Sequence, residues 1–193
     1  ELGHNLLDHT FLTGADGVYV GFKDKYTKGR SPNAIYIPRF RNLGGSTNHK
    51  DFLRGYGFQG AAWRGDHREL IKKTGYGKDL KDAFLTPGDW AMSIQGYGEI
   101  LPYHDNRIYL DYNKKDMWGL PTITFDAEIK ENEKAMRKDI RQQAVEMLES
   151  SGFRNVREFD YGYGMGLAIH EMGTARMGRD PKTSLLNKHN QLH

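Results

Sequence analysis

Residues 130–150 constrain the fold more than any other part of the chain. Met136, Ile140, Ala144, Met147 and Leu148 recur at helical spacing and make one apolar stripe, while the remaining surface is Lys, Arg, Glu and Gln. Gly152 stands where the glycine just past a helix end belongs. A helix with a single apolar face can bury only that face, so it must lie across something flat. Seven runs suited to strands, at 10–22, 34–40, 52–63, 89–103, 107–111, 122–126 and 153–161, supply that surface as a sheet of about six strands. Residues 68–84 are helix-like but interrupted at Gly75 and Gly77, which predicts two short helices. Residues 23–32 read as a basic surface loop and 43–48 as a turn cluster. Strands and helices do not alternate, so the expected fold is α+β: a mostly antiparallel sheet with one long helix and short helices packed on it.

Composition narrows the function classes. The chain holds 23 glycines and 11 tyrosines in 193 residues, interleaved with Leu, Ile and Phe and without a repeat. That pattern reads as a folded domain with many tight turns rather than a low-complexity tract. Cysteine is absent, which excludes a disulfide framework, thiolate metal ligands and a cysteine nucleophile. The net charge of +3 is mild and mixed, so nucleic acid is not an expected partner. No apolar run approaches the roughly 18–20 residues of a membrane-spanning helix.

The densest cluster of unusual residues is 162–181, Gly-Tyr-Gly-Met-Gly-Leu-Ala-Ile-His-Glu-Met-Gly-Thr-Ala-Arg-Met-Gly-Arg-Asp-Pro. A short apolar run, Leu167-Ala168-Ile169, is expected to act as a buried strand end that delivers His170 into a turn. A partly desolvated imidazole there suits a general acid or base; a core histidine that caps a strand fits the same pattern. Metal motifs fail. His170-Glu171 opens like a zinc-protease helix, but Thr174 occupies the second histidine position. A zinc hydrolase built on His104 and His170 is a remaining alternative, although no metal ligand set is predicted. Gly162, Gly164 and Gly166 lack the sixth-position glycine, the helix and the distal acid of a dinucleotide fingerprint. No P-loop and no nucleophile-elbow motif occurs.

The run from His170 through Gly-Thr-Ala-Arg-Met-Gly to Asp180-Pro181 and Asn187 resembles the C-terminal signature of the glucose–methanol–choline (GMC) flavin oxidoreductases. Gly3-His-Asn5-Leu6-Leu-Asp8-His9 is similar to the Gly-x-Asn-Leu-x-Asp-His segment of that family. Residues 107–111 and 116–121 look most like its branch with pyranose oxidase and sugar dehydrogenases. Glu171 replaces a common Pro, and Ala175 a common Cys, His or Val.

The resemblance implies a substrate-binding domain at 10–161, an opening segment at 1–9 that leaves an FAD-binding domain, and a flavin-facing catalytic region at 162–193. Both ends then read as cut from a longer chain, with the ADP-binding fingerprint before Glu1 and a second catalytic His or Asn after His193. It implies oxidation of the CH–OH group of a sugar, polyol or related alcohol, with hydride transfer to FAD. His170 is the implied base. Asn5, Gly173, Thr174, Arg176 and Met177 are the implied cofactor contacts, and Arg176 suits a structural ion pair equally well. His49, Asp51, Tyr97 and Glu99 are expected to line the substrate wall, and Phe58 and Trp63 either stack on a sugar or pack in the core. The expected partners are the substrate and the FAD-binding domain of the same parent chain, with self-association through an apolar face when that domain is absent. The alternative from another class is a non-catalytic carbohydrate- or partner-binding domain.

Overall fold

The computed structural model describes residues 1–21, 34–64, 76–85 and 88–193. Its elements, among these residues, are β1 (His9–Thr10), β2 (Thr13–Tyr19), β3 (Ala34–Ile37), a 3-10 turn (Gly45–Thr47), β4 (Tyr56–Arg64), α1 (Lys78–Leu85), β5 (Trp90–Glu99), β6 (Arg107–Lys115), β7 (Pro121–Asp126), α2 (Glu131–Ser150) and β8 (Arg154–Asp160). The basic loop expected at 23–32 and the first of the two short helices expected in 68–84 lie outside the described residues; the second is α1. No described helix is long and apolar enough to cross a membrane.

The main sheet runs β3-β4-β5-β2-β8, and β1 adds to the far end of β5. Every pairing is antiparallel. The expected α+β architecture is therefore present, with six strands in the sheet. β6 and β7 pair only with each other and form a separate hairpin. Several expected strands are shorter than read. Leu12 at φ 53° separates β1 from β2, Arg54 at φ 68° turns the chain before β4, and β5 ends at Glu99 where Ile100 donates its N–H to Asp8 O at 3.0 Å.

Helix α2 covers one face of this sheet. Met136, Ile140, Ala144 and Leu148 are buried against Ala15, Tyr56, Phe58 and Ile94. Each such side chain contributes roughly 1.5–3 kcal/mol. Position 96 must be glycine for this contact, because a Cβ there would come within 2.5 Å of Ile140 Cγ2. Glu133 in the first turn accepts the Lys130 N–H at 3.2 Å and the Leu101 N–H at 3.1 Å, tying the helix start to the end of β5. Tyr103 shares that carboxylate, and burial together with Glu133 pushes its pKa up to about 12.

Alternation along the strands assigns the two faces. Residues 56, 58, 94, 96 and 98 meet the helix. Residues 57, 59, 61 and 63 of β4 and 91, 93, 95, 97 and 99 of β5 point the other way. Gln59 and Trp63 are exposed there, and Gln95 and Tyr97 are half-buried. No described helix covers this second face, and its side chains are candidates for one wall of a site.

Candidate active site

Residues 162–193 form no regular strand or helix beyond isolated bridges, so their course is set by what they dock on. That surface is the opening segment. Leu7 and Met172 exchange two backbone hydrogen bonds of 2.9 Å each, and Gly3 donates its N–H to Thr174 O at 2.9 Å. Asp8 is 3% exposed and spans the joint. Its Oδ1 accepts the His9 N–H at 2.8 Å and its Oδ2 accepts the Ala168 N–H at 3.3 Å. Gly173, at φ 99°, sits so close to the opening segment that a Cβ would lie 2.0 Å from Asn5 O. Two stretches about 160 positions apart thus form one unit.

His170 emerges from this unit and is exposed. The buried strand expected at 167–169 is not there: Leu167 and Ile169 are exposed, and only Ala168 is buried. The reason is the docking. With the Ala168 N–H held by Asp8, the chain turns at Ile169, whose φ of 62° is strained for a β-branched residue. That strained residue directly precedes His170 and sets the direction in which the ring leaves the backbone. His170 Nδ1 lies 2.9 Å from Ala168 O. A carbonyl only accepts, so Nδ1 carries the proton and Nε2 of the neutral ring keeps its lone pair. The core-histidine reading fails on exposure.

Around the imidazole the surface is aromatic and apolar. His9 lies against it, with ring centroids 4.8 Å apart, and Tyr97 meets His9 edge-on at 5.4 Å. Phe11 follows at 6.2 Å from His9, and Tyr163 stacks on Phe11 at 6.1 Å. Tyr97 accepts a hydrogen bond from Gln95 Nε2 at 2.5 Å, and burial raises its pKa. Leu167, Ile169, Met172 and Met177 expose apolar surface in the same loop region. Such a shelf fits one face of a flat ring system. A pyrophosphate cradle is not visible among the described residues.

The other expected site residues divide into two groups. Tyr97 is close to His170 through His9, and Glu99, paired with His9 across the β1–β5 register, shares that face. Glu99 also forms an ion pair with Arg54 at 3.4 Å. His49 and Asp51 do not meet His170. His49 stacks on buried Phe52 at 4.2 Å and lies 3.8 Å from Asp139 of α2, on the helix side of the sheet. Asp51 is beside it, donating its N–H to His49 Nδ1 at 3.2 Å. Asp139 there is held by Arg41 at 2.8 Å and by the Tyr56 hydroxyl at 2.5 Å. That network raises the pKa of Arg41 through its hydrogen bond to Asp139, and burial raises Tyr56 well above its ordinary value. It is a clamp between the 41–54 loop and α2. Phe58 is core, whereas Trp63 is on the open face.

Among the implied cofactor contacts, Asn5 is buried at φ 62°, with its carbonyl under Gly173. Arg176 pairs with Glu1 at 2.9 Å. Met177 bridges to Leu186 and exposes its side chain. His104 stacks on His4 at 4.1 Å. No group of three or more His, Asp or Glu able to hold a metal occurs among the described residues. Sequence reasoning assigned no role to His9, Phe11 or Asp8. The one signal for His9 and Asp8 is their place in the Asn-Leu-x-Asp-His segment; Phe11 has none.

Residues 102–193 match the family model described as GMC oxidoreductase. The chain is also 28% identical over 196 residues to 2-methyl-1,2-propanediol dehydrogenase from Mycolicibacterium austroafricanum, a match that covers 98% of the chain. The chain spans about a third of the length of that curated relative, 34%. Together these findings show that the chain is similar to GMC oxidoreductases, over its C-terminal half in the family model and over nearly its whole length in the bacterial relative.

Proposed function

We propose that this chain forms the substrate side of an FAD-dependent oxidoreductase that oxidises the CH–OH group of a sugar, polyol or related alcohol, with His170 as the proton acceptor. The observation that carries the reading is the exposed His170 imidazole. Its Nδ1–H is fixed on Ala168 O, its Nε2 has no hydrogen-bond partner among the described residues, and Leu167, Ile169, Met172 and Met177 expose apolar side chains in the same loop.

FAD, when bound, would supply the hydride acceptor. His170 Nε2 takes the proton of the substrate hydroxyl and so helps a carbonyl form at that carbon. The Met172 and Met177 side chains and the backbone around Gly173 would flank the ring. Tyr97, Gln95 and Glu99 offer the polar groups that orient hydroxyls, and Tyr163 offers a face for the carbon skeleton. The name of the bacterial relative favours a small vicinal diol within the alcohol class; the sugar-like reading of 107–121 favours a larger polyol. Both keep the same base and the same wall.

The test uses the full-length protein loaded with FAD and a panel of sugars, polyols and short diols. His170→Ala should slow flavin reduction by about 10²–10⁴-fold, the usual worth of a positioned base, while FAD content stays at the wild-type level. Reduction by His170→Ala at the wild-type rate would remove this histidine from the chemistry. If no alcohol reduces the flavin and a saccharide still binds, the chain is a binding domain instead.

A further inference from the structure

The second histidine at the site stands outside the C-terminal signature. His9 belongs to β1, is half-buried, and brings Nε2 to 2.9 Å from His170 Nδ1. Its other nitrogen, Nδ1, lies 3.0 Å from Thr10 O. That carbonyl can only accept, so His9 Nδ1 carries the proton and Nε2 of the neutral ring is an acceptor. His170 Nδ1 therefore faces two acceptors at once, Ala168 O and His9 Nε2, each at 2.9 Å. One Nδ1–H shared between them satisfies both. A proton on His170 Nε2 instead would leave three lone pairs facing one another with no hydrogen between them.

The two acceptors do different work. Ala168 is two residues from His170 and moves with it. His9 belongs to the sheet, where β1 pairs with β5 through His9–Glu99 and Thr10–Gly98. Asp8 fixes the His9 backbone and the Ala168 backbone with one carboxylate. Tyr97 closes the other side of the His9 ring. His9 is thus the link that ties the orientation of the His170 ring to the rigid sheet.

We propose that His9 is a positioning residue: it holds His170 in the Nδ1–H form with Nε2 directed at the substrate hydroxyl. This rests on the reading of His170 as the proton acceptor. The proton taken from the substrate goes to His170 Nε2, and His9 neither gains nor loses one. Fixing the tautomer and ring plane of a functional histidine through its second nitrogen is a general device, and removing such a partner typically costs about 10–100-fold.

The experiment uses the full-length, FAD-loaded protein with His9→Leu, His9→Gln and His170→Ala variants. His9→Leu keeps the volume and removes the acceptor. It should lower the limiting rate of flavin reduction by about 10–100-fold and leave the substrate dissociation constant within about 2-fold. His9→Gln, whose side-chain carbonyl can accept the same bond, should recover most of the rate. A readout independent of activity comes from ¹⁵N-histidine spectra: wild-type His170 should carry its proton on Nδ1, and His9→Leu should show a mixture of tautomers. A wild-type spectrum with the proton on Nε2 overturns the proposal, even if His9→Leu does not fold. A normal rate and an unchanged tautomer in His9→Leu, with His170→Ala still slow, overturns the role of His9 alone. A normal rate in His170→Ala overturns the base and the positioning residue together.

Discussion

Gly173→Ala isolates the joint that holds the site together. The added methyl would start 2.0 Å from Asn5 O, whereas carbon–oxygen contacts need well over 3 Å, so loop and opening segment must part by about 1 Å or more. At φ 99° an alanine also carries backbone strain of about 1–3 kcal/mol. The three backbone hydrogen bonds flanking this point, two between Leu7 and Met172 and one from Gly3 to Thr174, are each worth about 0.5–1.5 kcal/mol. Strain and clash together match what those bonds return, so undocking is the favoured response. The sheet and α2 do not touch this point, and global unfolding should barely change. Amide exchange at Leu7 and Met172 should accelerate strongly while exchange in β4 and β5 stays slow. His170 would lose its alignment, and displacement by about 1 Å typically costs on the order of 10²-fold in rate. Gly164→Ala is the control, since a Cβ there meets nothing within 4 Å. Retained protection at Met172 in Gly173→Ala would refute the idea that close backbone approach secures the loop.

Two further outcomes follow from the helix side. Ile140→Ala opens a cavity at a position that is 0% exposed and should cost about 2–5 kcal/mol in urea unfolding; a loss below 1 kcal/mol would mean that α2 does not pack as described. Asp160 ends β8 and accepts hydrogen bonds from Arg137, Arg141 and the Gly162 N–H. Burial tends to raise its pKa, but those bonds and the two arginines outweigh it and hold the carboxyl below its ordinary value. A depressed carboxyl stabilises the fold above its unfolded pKa of about 3.9 and loses that contribution as pH falls through the lower folded value. Stability should therefore drop below about pH 4, and Asp160→Asn should flatten that limb of the unfolding profile; an unchanged limb would exclude Asp160 as a source of the acid sensitivity.

Helix α2 was legible in the sequence because its information is local: Met136, Ile140, Ala144 and Leu148 at i, i+4 spacing, with Met147 beside them, define a face without reference to anything else. The strands were legible for the same reason, at period 2. Their ends were not, because Leu12 and Arg54 adopt positive φ for reasons of tertiary packing that no neighbouring residue announces. His49 and Asp51 show where local reading stops. Their polarity suggested a substrate wall, but the loop carrying them is clamped by Asn42 and Arg41, which send it to the α2 side and onto Asp139. Tyr97 could be placed only after its parity relative to Gly96 was known. His9 was invisible as a site residue because its role exists only once residues about 160 positions apart are joined.

That separation has a physical use. A loop without its own secondary structure cannot hold an imidazole ring to a fraction of an ångström by propensity alone, since every freely rotating residue costs about 1–2 kcal/mol to fix. Here residues 168–174 borrow rigidity from the opening segment, and through β1 from β5. The binding free energy of that docking is also what holds Ile169 at φ 62°. Strain and alignment are thus two sides of one contact: whatever loosens Asp8, Leu7 or Gly173 lets Ile169 relax to an ordinary conformation, and the relaxed backbone aims His170 elsewhere. Ile169→Gly tests this directly, because glycine adopts the same φ without strain. If strain is offset by docking, the substitution should slow amide exchange at Met172, and an exchange rate equal to wild type would show that Ile169 bears no load.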